Sequence, residues 1–234
     1  ADGTLLDIAA RPEHARASRF LLTVLDELYF ALQGALAVVS GRRIEDIDRL
    51  FAPLRLPASG IHGAQLRRSP HAPILEGDAP DIPAPIVRAI AAVARRHPGV
   101  FLENKGKALA VHWRAAQERE SALWTELSDA LRDAAAPALA ILRGHCVFEI
   151  KSPSTTKGDA VSAFMQTVPF AGRAPVFIGD DVTDIAGMAA AKAFGGHAYS
   201  VGQMLEGADG AFASPSDVRA WLERLAARTK AKRA

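Results

Sequence analysis

Two short apolar runs, each unbroken and each closed by turn chemistry, constrain this chain more than any other feature. Ala35-Leu36-Ala37-Val38-Val39 leads into Ser40-Gly41-Arg42, and Ala174-Pro175-Val176-Phe177-Ile178 leads into Gly179-Asp180-Asp181. Runs this short and apolar on both faces suit strands covered from both sides, as in a parallel sheet. Apolar residues at helical spacing precede the first run over residues 12 to 33 and stop at Gly34. Further helices are expected at about 43–51, 157–167 and 182–192, with another strand near 58–62. Alternating strands and helices are the grammar of a doubly wound α/β sheet, whose ligands collect at the carboxyl ends of the strands.

The middle of the chain reads differently. Pro70, Pro73, Pro80, Pro83 and Pro85 mark a boundary. Beyond it a helix, strands near 100–103 and 109–113, a helix over 117–133 and strands within 138–150 are expected. The alternation in Ala108-Leu109-Ala110-Val111-His112-Trp113-Arg114 predicts a sheet with one polar face, on which His112 and Arg114 lie together. The resulting layout is an α/β core built from residues 1–66 and 151–234, with an inserted α/β cap at 67–150. At 234 residues the chain is long enough for both.

Composition excludes several classes of function. Twenty-eight basic against 26 acidic side chains leave a formal charge of +2, too weak a field to draw nucleic acid or an anionic membrane. One cysteine, Cys146, forms no internal disulfide and no cysteine zinc site, which suits the cytoplasm. There is no apolar run of membrane-spanning length. The alanine- and arginine-rich usage points to a bacterial source. His14, His71, His97 and His145 read as surface or loop residues, and Trp124 and Trp221 as core.

Four short segments fall at strand ends: Asp2-Gly3-Thr4, Ser40-Gly41-Arg42, Lys157 at a helix start, and Asp180-Asp181 with Asp184 one turn on. Singly each is a turn or a helix start; together they describe a phosphate site. A hydroxyl, backbone amides and a lysine hold phosphate, whereas clustered carboxylates repel it. Carboxylates and phosphate coexist when a hard cation lies between them, and these oxygen donors suit Mg²⁺. Asp180 and Asp181, with an acid from the first loop, supply the cation site; Ser40 and Lys157 supply phosphate ligands.

In this order the segments resemble the haloacid dehalogenase superfamily of phosphatases. Its first motif, Asp-x-Asp-Gly-Thr, is matched from its second position by Ala1-Asp2-Gly3-Thr4, and its fourth by Gly179-Asp180-Asp181-Val182-Thr183-Asp184. The resemblance implies that Asp2 is the general acid and base and that its backbone carbonyl, with Asp180, Asp181 and Asp184, serves Mg²⁺. It also implies that Ser40 and Lys157 act in catalysis, and that Thr4, Gly41 and Arg42 contact the substrate. Gly60-Ile61-His62-Gly63-Ala64-Gln65, Glu103-Asn104-Lys105, His112-Trp113-Arg114 and Glu149-Ile150-Lys151 are similar to signatures of the trehalose-6-phosphate phosphatase family. By that resemblance His62, Gly63, Glu103, Lys105, His112, Arg114, Glu149 and Lys151 bind the disaccharide, and the inserted cap closes over it.

The sequence departs from this pattern in three places. The nucleophilic aspartate belongs immediately before Ala1, after an apolar strand, and we expect the sequence to be a truncated piece. Ile185 stands where the family usually has glutamate, and Gln65 replaces an expected glutamate; both bear on Mg²⁺ organisation or substrate ranking rather than on the reaction class. The expected activity is Mg²⁺-dependent hydrolysis of trehalose 6-phosphate through a phospho-aspartate by a cytoplasmic monomer, with a trehalose-6-phosphate synthase as the expected protein partner. The alternatives are a phosphatase for another sugar phosphate, such as sucrose phosphate, and a catalytically dead homologue that binds sugar phosphate or regulates a synthase.

Overall fold

A computed structural model describes residues 1–9, 12–134, 136 and 138–231. The chain divides into two units, residues 1–77 with 156–234 and residues 78–155. In chain order the first unit opens with α1 (Arg19–Ala31), β1 (Val38–Val39), α2 (Ile44–Phe51), β2 (Ala58–Gly60), β3 (Gln65–Arg67) and β4 (Leu75–Glu76). The second unit comprises α3 (Ala84–Arg95), β5 (Phe101–Asn104), β6 (Ala108–His112), α4 (Glu120–Asp133), β7 (Ala140–Gly144) and β8 (Val147–Lys151). The first unit then resumes with α5 (Lys157–Met165), β9 (Val176–Gly179), α6 (Ile185–Ala193), β10 (His197–Val201), β11 (Gly210–Phe212) and α7 (Pro215–Ala231).

Helix α1 starts later than its apolar spacing predicts, because the Ser18 hydroxyl accepts the Leu21 N–H at 3.2 Å and fixes the amino end there. Residues Pro12–His14 form only a 3-10 turn. Alternation along two strands shows that the first unit is covered on both faces. Val38 of β1 belongs to a cluster with Leu21, Leu25 and Leu28 of α1, whereas Val39 packs with Val161, Phe164 and Met165 of α5. On β9, Ile178 and Phe177 divide between the same two clusters. Neighbouring residues on a strand point to opposite sides, so helices lie on both faces, as a doubly wound sheet requires.

The first unit is not purely parallel. β1 and β2 pair in parallel, as do β9, β10 and β11, but β3 and β4 add antiparallel strands beyond β2. This extension carries the first unit through Gly77, past the residue-66 limit expected from the prolines. At the other end β8 runs to Lys151 and Thr156 caps α5, so the division falls at 155/156 rather than near 150. Among the described residues the strands of the first unit form two separate sheets, ordered β1-β2-β3-β4 and β11-β10-β9, leaving β1 and β9 each paired on one side. A largely apolar cavity of about 590 Å³ is lined by Val38 and Val39 from β1, by Phe177 and Ile178 from β9, and by Ala1 and Thr4.

One polar contact secures α2 to this sheet. Arg67 of β3 is fully buried and places two guanidinium nitrogens 2.6 Å from the two carboxylate oxygens of Asp48 on α2, while also donating to the Leu56 carbonyl at 2.8 Å. Asp48→Ala removes the charge partner and leaves the cation buried. We expect a loss of about 3 kcal/mol, read as a lowered urea midpoint with an unchanged slope.

The second unit is a four-stranded antiparallel sheet, ordered β5-β6-β8-β7. Leu109, Val111, Phe148 and Ile150 face Ile90, Val93, Leu123 and Leu127 of α3 and α4 in one apolar cluster. His97, expected at the surface, is buried and meets Glu126 at 3.0 Å. Trp124 and Trp221 pack, partly buried, against the clusters of their own units. Among the described residues no helix is long and apolar enough to cross a membrane.

Candidate active site

Three loops of the first unit, at or beside strand ends, bring the acidic and hydroxyl groups together. The Ala1–Leu6 loop turns at Gly3, which has φ +70° and whose N–H donates to the Leu6 carbonyl at 2.8 Å. A Cβ at Gly3 would lie 2.0 Å from Asp180 Oδ2, so both conformation and space demand glycine. The next residue, Thr4, donates its hydroxyl to Asp180 Oδ1 at 2.6 Å, joining the first loop to the end of β9 across 176 residues. The Asp2 carboxylate is gripped bidentately by Arg42, with Nε at 2.6 Å and the terminal nitrogen at 2.8 Å. Ser40 is buried at the end of β1; its N–H donates to the Ser59 carbonyl, and its hydroxyl accepts the Arg42 N–H at 3.2 Å.

Lys157 opens α5 behind a capping box, in which Asp159 accepts the Thr156 N–H at 2.7 Å and Thr156 Oγ1 accepts the Asp159 N–H at 3.2 Å. From there its ammonium reaches Asp184 Oδ1 at 2.7 Å, with the two side chains only 8% and 5% exposed. The second oxygen of Asp184 accepts the N–H groups of Asp180 and Asp181, each at 3.1 Å. Asp184 therefore spends both oxygens holding the β9 turn and Lys157. His62, in the left-handed region at φ +54°, and Gly63 share a 3-10 turn after β2, with the His62 N–H donating to the Ser40 carbonyl at 3.0 Å.

The carboxylates of this cluster differ in their proton affinity. Burial raises Asp180 and Asp181 above the ordinary carboxylate value, and the Thr4 hydroxyl and the Val182 N–H offset this only in part. Burial acts the same way on Asp2 and Asp184, but Arg42 and Lys157 respectively outweigh it and hold both below that value. Among the described residues no three His, Cys, Asp or Glu side chains converge on a metal position. Two adjacent carboxylates pushed up by burial nonetheless fit a hard divalent cation, which would keep both ionised. Of the four acids expected to serve the cation, Asp2 was expected to do so through its backbone carbonyl, its carboxylate being held by Arg42, and the Asp184 carboxylate meets Lys157 and the Asp180 and Asp181 N–H groups.

In the second unit a separate cluster occupies the sheet face opposite the helices. Glu103 and Glu149 lie in one cross-strand row on either side of Ala110. Glu103 meets His112 at 2.9 Å, and Lys105 lies 3.4 Å from Glu149 and 3.7 Å from Glu103. Lys151 donates to the Ser152 carbonyl at 2.9 Å and to the carbonyl of Thr155. Arg114, beyond the end of β6, donates to the His145 carbonyl at 3.3 Å, toward the β7–β8 turn. A small alanine lies in the middle of this row, and of the charged residues around it Lys105, Glu149 and Lys151 are buried.

Residues 1–194 match the trehalose-phosphatase family model. The chain belongs to the trehalose-phosphatase family. It is 39% identical over 233 residues to trehalose-6-phosphate phosphatase of Escherichia coli K12, covering 99% of this chain and 86% of that protein. It is likewise 39% identical over 219 residues to a probable trehalose-phosphate phosphatase of Sinorhizobium fredii, covering 92% and 80%. Its fold is that of the C-terminal domain of Candida albicans trehalose-6-phosphate phosphatase, with a TM-score of 0.85 and 20% identity over 97% of this chain and 89% of that one. As a member of the trehalose-phosphatase family the chain has an α/β phosphatase core with a cap, as the motifs implied.

Several supports within the two units were not foreseen from the sequence. Phe101 stacks on the His112 ring with centroids 4.5 Å apart and fixes its plane. The capping box under Lys157 was available in Thr156-Lys157-Gly158-Asp159, a spacing that carries its own mechanism. Arg67 had no such signal, because Leu66-Arg67-Arg68 looks like a solvated edge until Asp48 is found facing it.

Proposed function

We propose that this chain carries the phosphate chemistry of a Mg²⁺-dependent hydrolase that splits trehalose 6-phosphate into trehalose and phosphate through a phospho-aspartate. The observation that carries the reading is the tie between strand ends: Thr4 on Asp180, with Asp180 and Asp181 held by Asp184, which also holds Lys157. Mg²⁺, when bound, supplies the positive charge that lets phosphate approach carboxylates, and Asp180 and Asp181 are the residues that would hold it. The Ser40 hydroxyl, the Gly41 backbone and the Lys157 ammonium, which also meets Asp184, take phosphate oxygens.

The nucleophile we assign to an aspartate preceding Ala1, at the end of a strand filling the apolar cavity. A parallel strand there would pair with the open sides of β1 and β9, join the two sheets and cover the valines on both edges. Its carboxylate attacks phosphorus while the ester bond to the sugar breaks, and Asp2 delivers a proton to the departing sugar oxygen. Asp2 then takes a proton from the water that cleaves the acyl phosphate. In the arrangement described, Arg42 keeps Asp2 ionised. The same guanidinium fork matches a phosphate dianion, so arrival of substrate gives Arg42 another partner and lets Asp2 take up a proton from water before it acts as an acid.

The charged face of the second unit supports the sugar end of the reading. Glu103→Ala, in a chain carrying the nucleophile, is expected to raise KM for trehalose 6-phosphate about tenfold or more, the worth of a hydrogen bond to a charged group. Hydrolysis of a small aryl phosphate should be unchanged. Equal losses on both substrates would contradict a sugar-specific role.

A further inference from the structure

We propose that Gln65 is the side-chain cap of α2 and thereby the positioning residue of the Ser40-Gly41-Arg42 turn, acting as a matched pair with Glu76. What that turn does rests on the phosphatase reading above; that Gln65 holds it does not. Helix α2 begins at Ile44, and its N-cap residue Arg43 makes no side-chain hydrogen bond to the helix. The first N–H groups of a helix need partners from outside. The one at Ile44 is taken by Gln65 Oε1 at 2.9 Å, from a residue that is 1% exposed and 21 positions away. The other end of the amide, Nε2, donates to Glu76 Oε1 at 2.9 Å.

Gln65 therefore bridges three segments. It pairs on β3 with Gly60 on one side and with Glu76 of β4 on the other. A Cβ at Gly60 would come within 2.8 Å of both Gln65 Oε1 and the Arg42 carbonyl and 3.0 Å of the Ile44 nitrogen, so only glycine there leaves room for the amide to reach the start of α2 beside the turn. The turn's backbone is held from the same side, since the Ile61 N–H donates to the Arg42 carbonyl at 2.9 Å and the His62 N–H to the Ser40 carbonyl at 3.0 Å. Ser59, beside Gly60, closes the arrangement by donating its hydroxyl to the Gln65 carbonyl at 2.8 Å.

Charge explains why glutamine stands here. Ile44 offers a donor and Glu76 an acceptor, so the group between them must accept on one end and donate on the other. An amide does both; a carboxylate only accepts. A glutamate at position 65 beside Glu76 would oppose two carboxylate oxygens at hydrogen-bond distance and push the side chain off Ile44. The same logic predicts a working inverse pair, in which a carboxylate at position 65 accepts from the Ile44 N–H and from an amide at position 76.

The test compares Q65E, E76Q and Q65E/E76Q in a chain extended by the nucleophile-bearing strand. Hydrogen exchange at the Ile44 amide is read alongside KM and kcat for trehalose 6-phosphate. Q65E should speed exchange at Ile44 about tenfold or more, as loss of a buried hydrogen bond implies, and raise KM more than it lowers kcat. E76Q should resemble the parent, and the double variant should recover both readouts. Unchanged exchange in Q65E, or a double variant no better than Q65E, would overturn the proposal. If Q65E does not fold, a folded double variant with parental exchange supports the pairing, and an unfolded one overturns it. Should the parent release no phosphate while the exchange cycle behaves as described, the phosphatase reading fails and the capping role stands.

Discussion

Asp2→Asn, in a chain that carries the nucleophile, is expected to lower turnover of trehalose 6-phosphate by about 10²–10⁴-fold, the range for removal of a positioned acid and base. The effect should fall on kcat, because asparagine can neither give a proton to the departing sugar oxygen nor take one from water. The substitution also leaves Arg42 without the carboxylate that it grips through two nitrogens. Arg42 is then freer to meet the phosphate, so KM should stay level or fall. Steady-state kinetics with circular dichroism as a fold control separates these effects. Unchanged kcat would remove Asp2 from the chemistry.

Lys157→Met should be the most damaging single change to the first unit. It withdraws the ammonium from Asp184 and leaves a carboxylate, 5% exposed, with only the two backbone N–H groups of Asp180 and Asp181. Breaking a buried pair on one side costs about 3–5 kcal/mol. The penalty carries a pH signature. Burial tends to raise the Asp184 carboxyl, but Lys157 outweighs it, so the folded value lies below the unfolded one. The pair's contribution is complete above the ordinary carboxylate range and is lost as pH falls through the lowered folded value. Urea midpoints for parent and variant should therefore be far apart near neutrality and converge in acid. A gap independent of pH would mean that Lys157 contributes by packing alone. Turnover should be lost as well, since the same ammonium is assigned to phosphate.

Both expectations depend on partners that sequence spacing does not reveal. The strand-end segments were legible because a buried strand must end in a turn, and turn chemistry following an apolar run is visible in Val39-Ser40-Gly41 and Ile178-Gly179-Asp180. Which carboxylate receives which donor was not legible. Asp2 and Arg42 are 40 positions apart, and nothing in the spacing shows that Asp184 meets Lys157 and the Asp180 and Asp181 N–H groups. The second unit was read more closely, because alternation on β6 fixes the polar face wherever the neighbouring strands lie. β3 and β4 were hidden by the prolines around them, and β10 and β11 by having neither a continuous apolar run nor clean alternation. Gln65 illustrates the limit best. In sequence it is a glutamate replaced, and in the fold it is a neutral group required by the glutamate beside it.

The apolar cavity links the fold to the chemistry. Its walls come from both sheets and from helices on both faces, and the loop carrying Asp2 and Thr4 lies at its edge. The proposed strand and nucleophile would occupy this one cavity, so a single segment is expected to serve both fold and chemistry. The measurement that tests this most directly is phosphate release from trehalose 6-phosphate, with Mg²⁺ and with a chelator. It should be made on the chain beginning at Ala1 and on the same chain preceded by an apolar strand ending in aspartate. The account predicts release only from the extended chain and only with Mg²⁺. A well-folded extended chain that binds trehalose 6-phosphate but releases no phosphate would contradict it and identify a sugar-phosphate-binding protein instead.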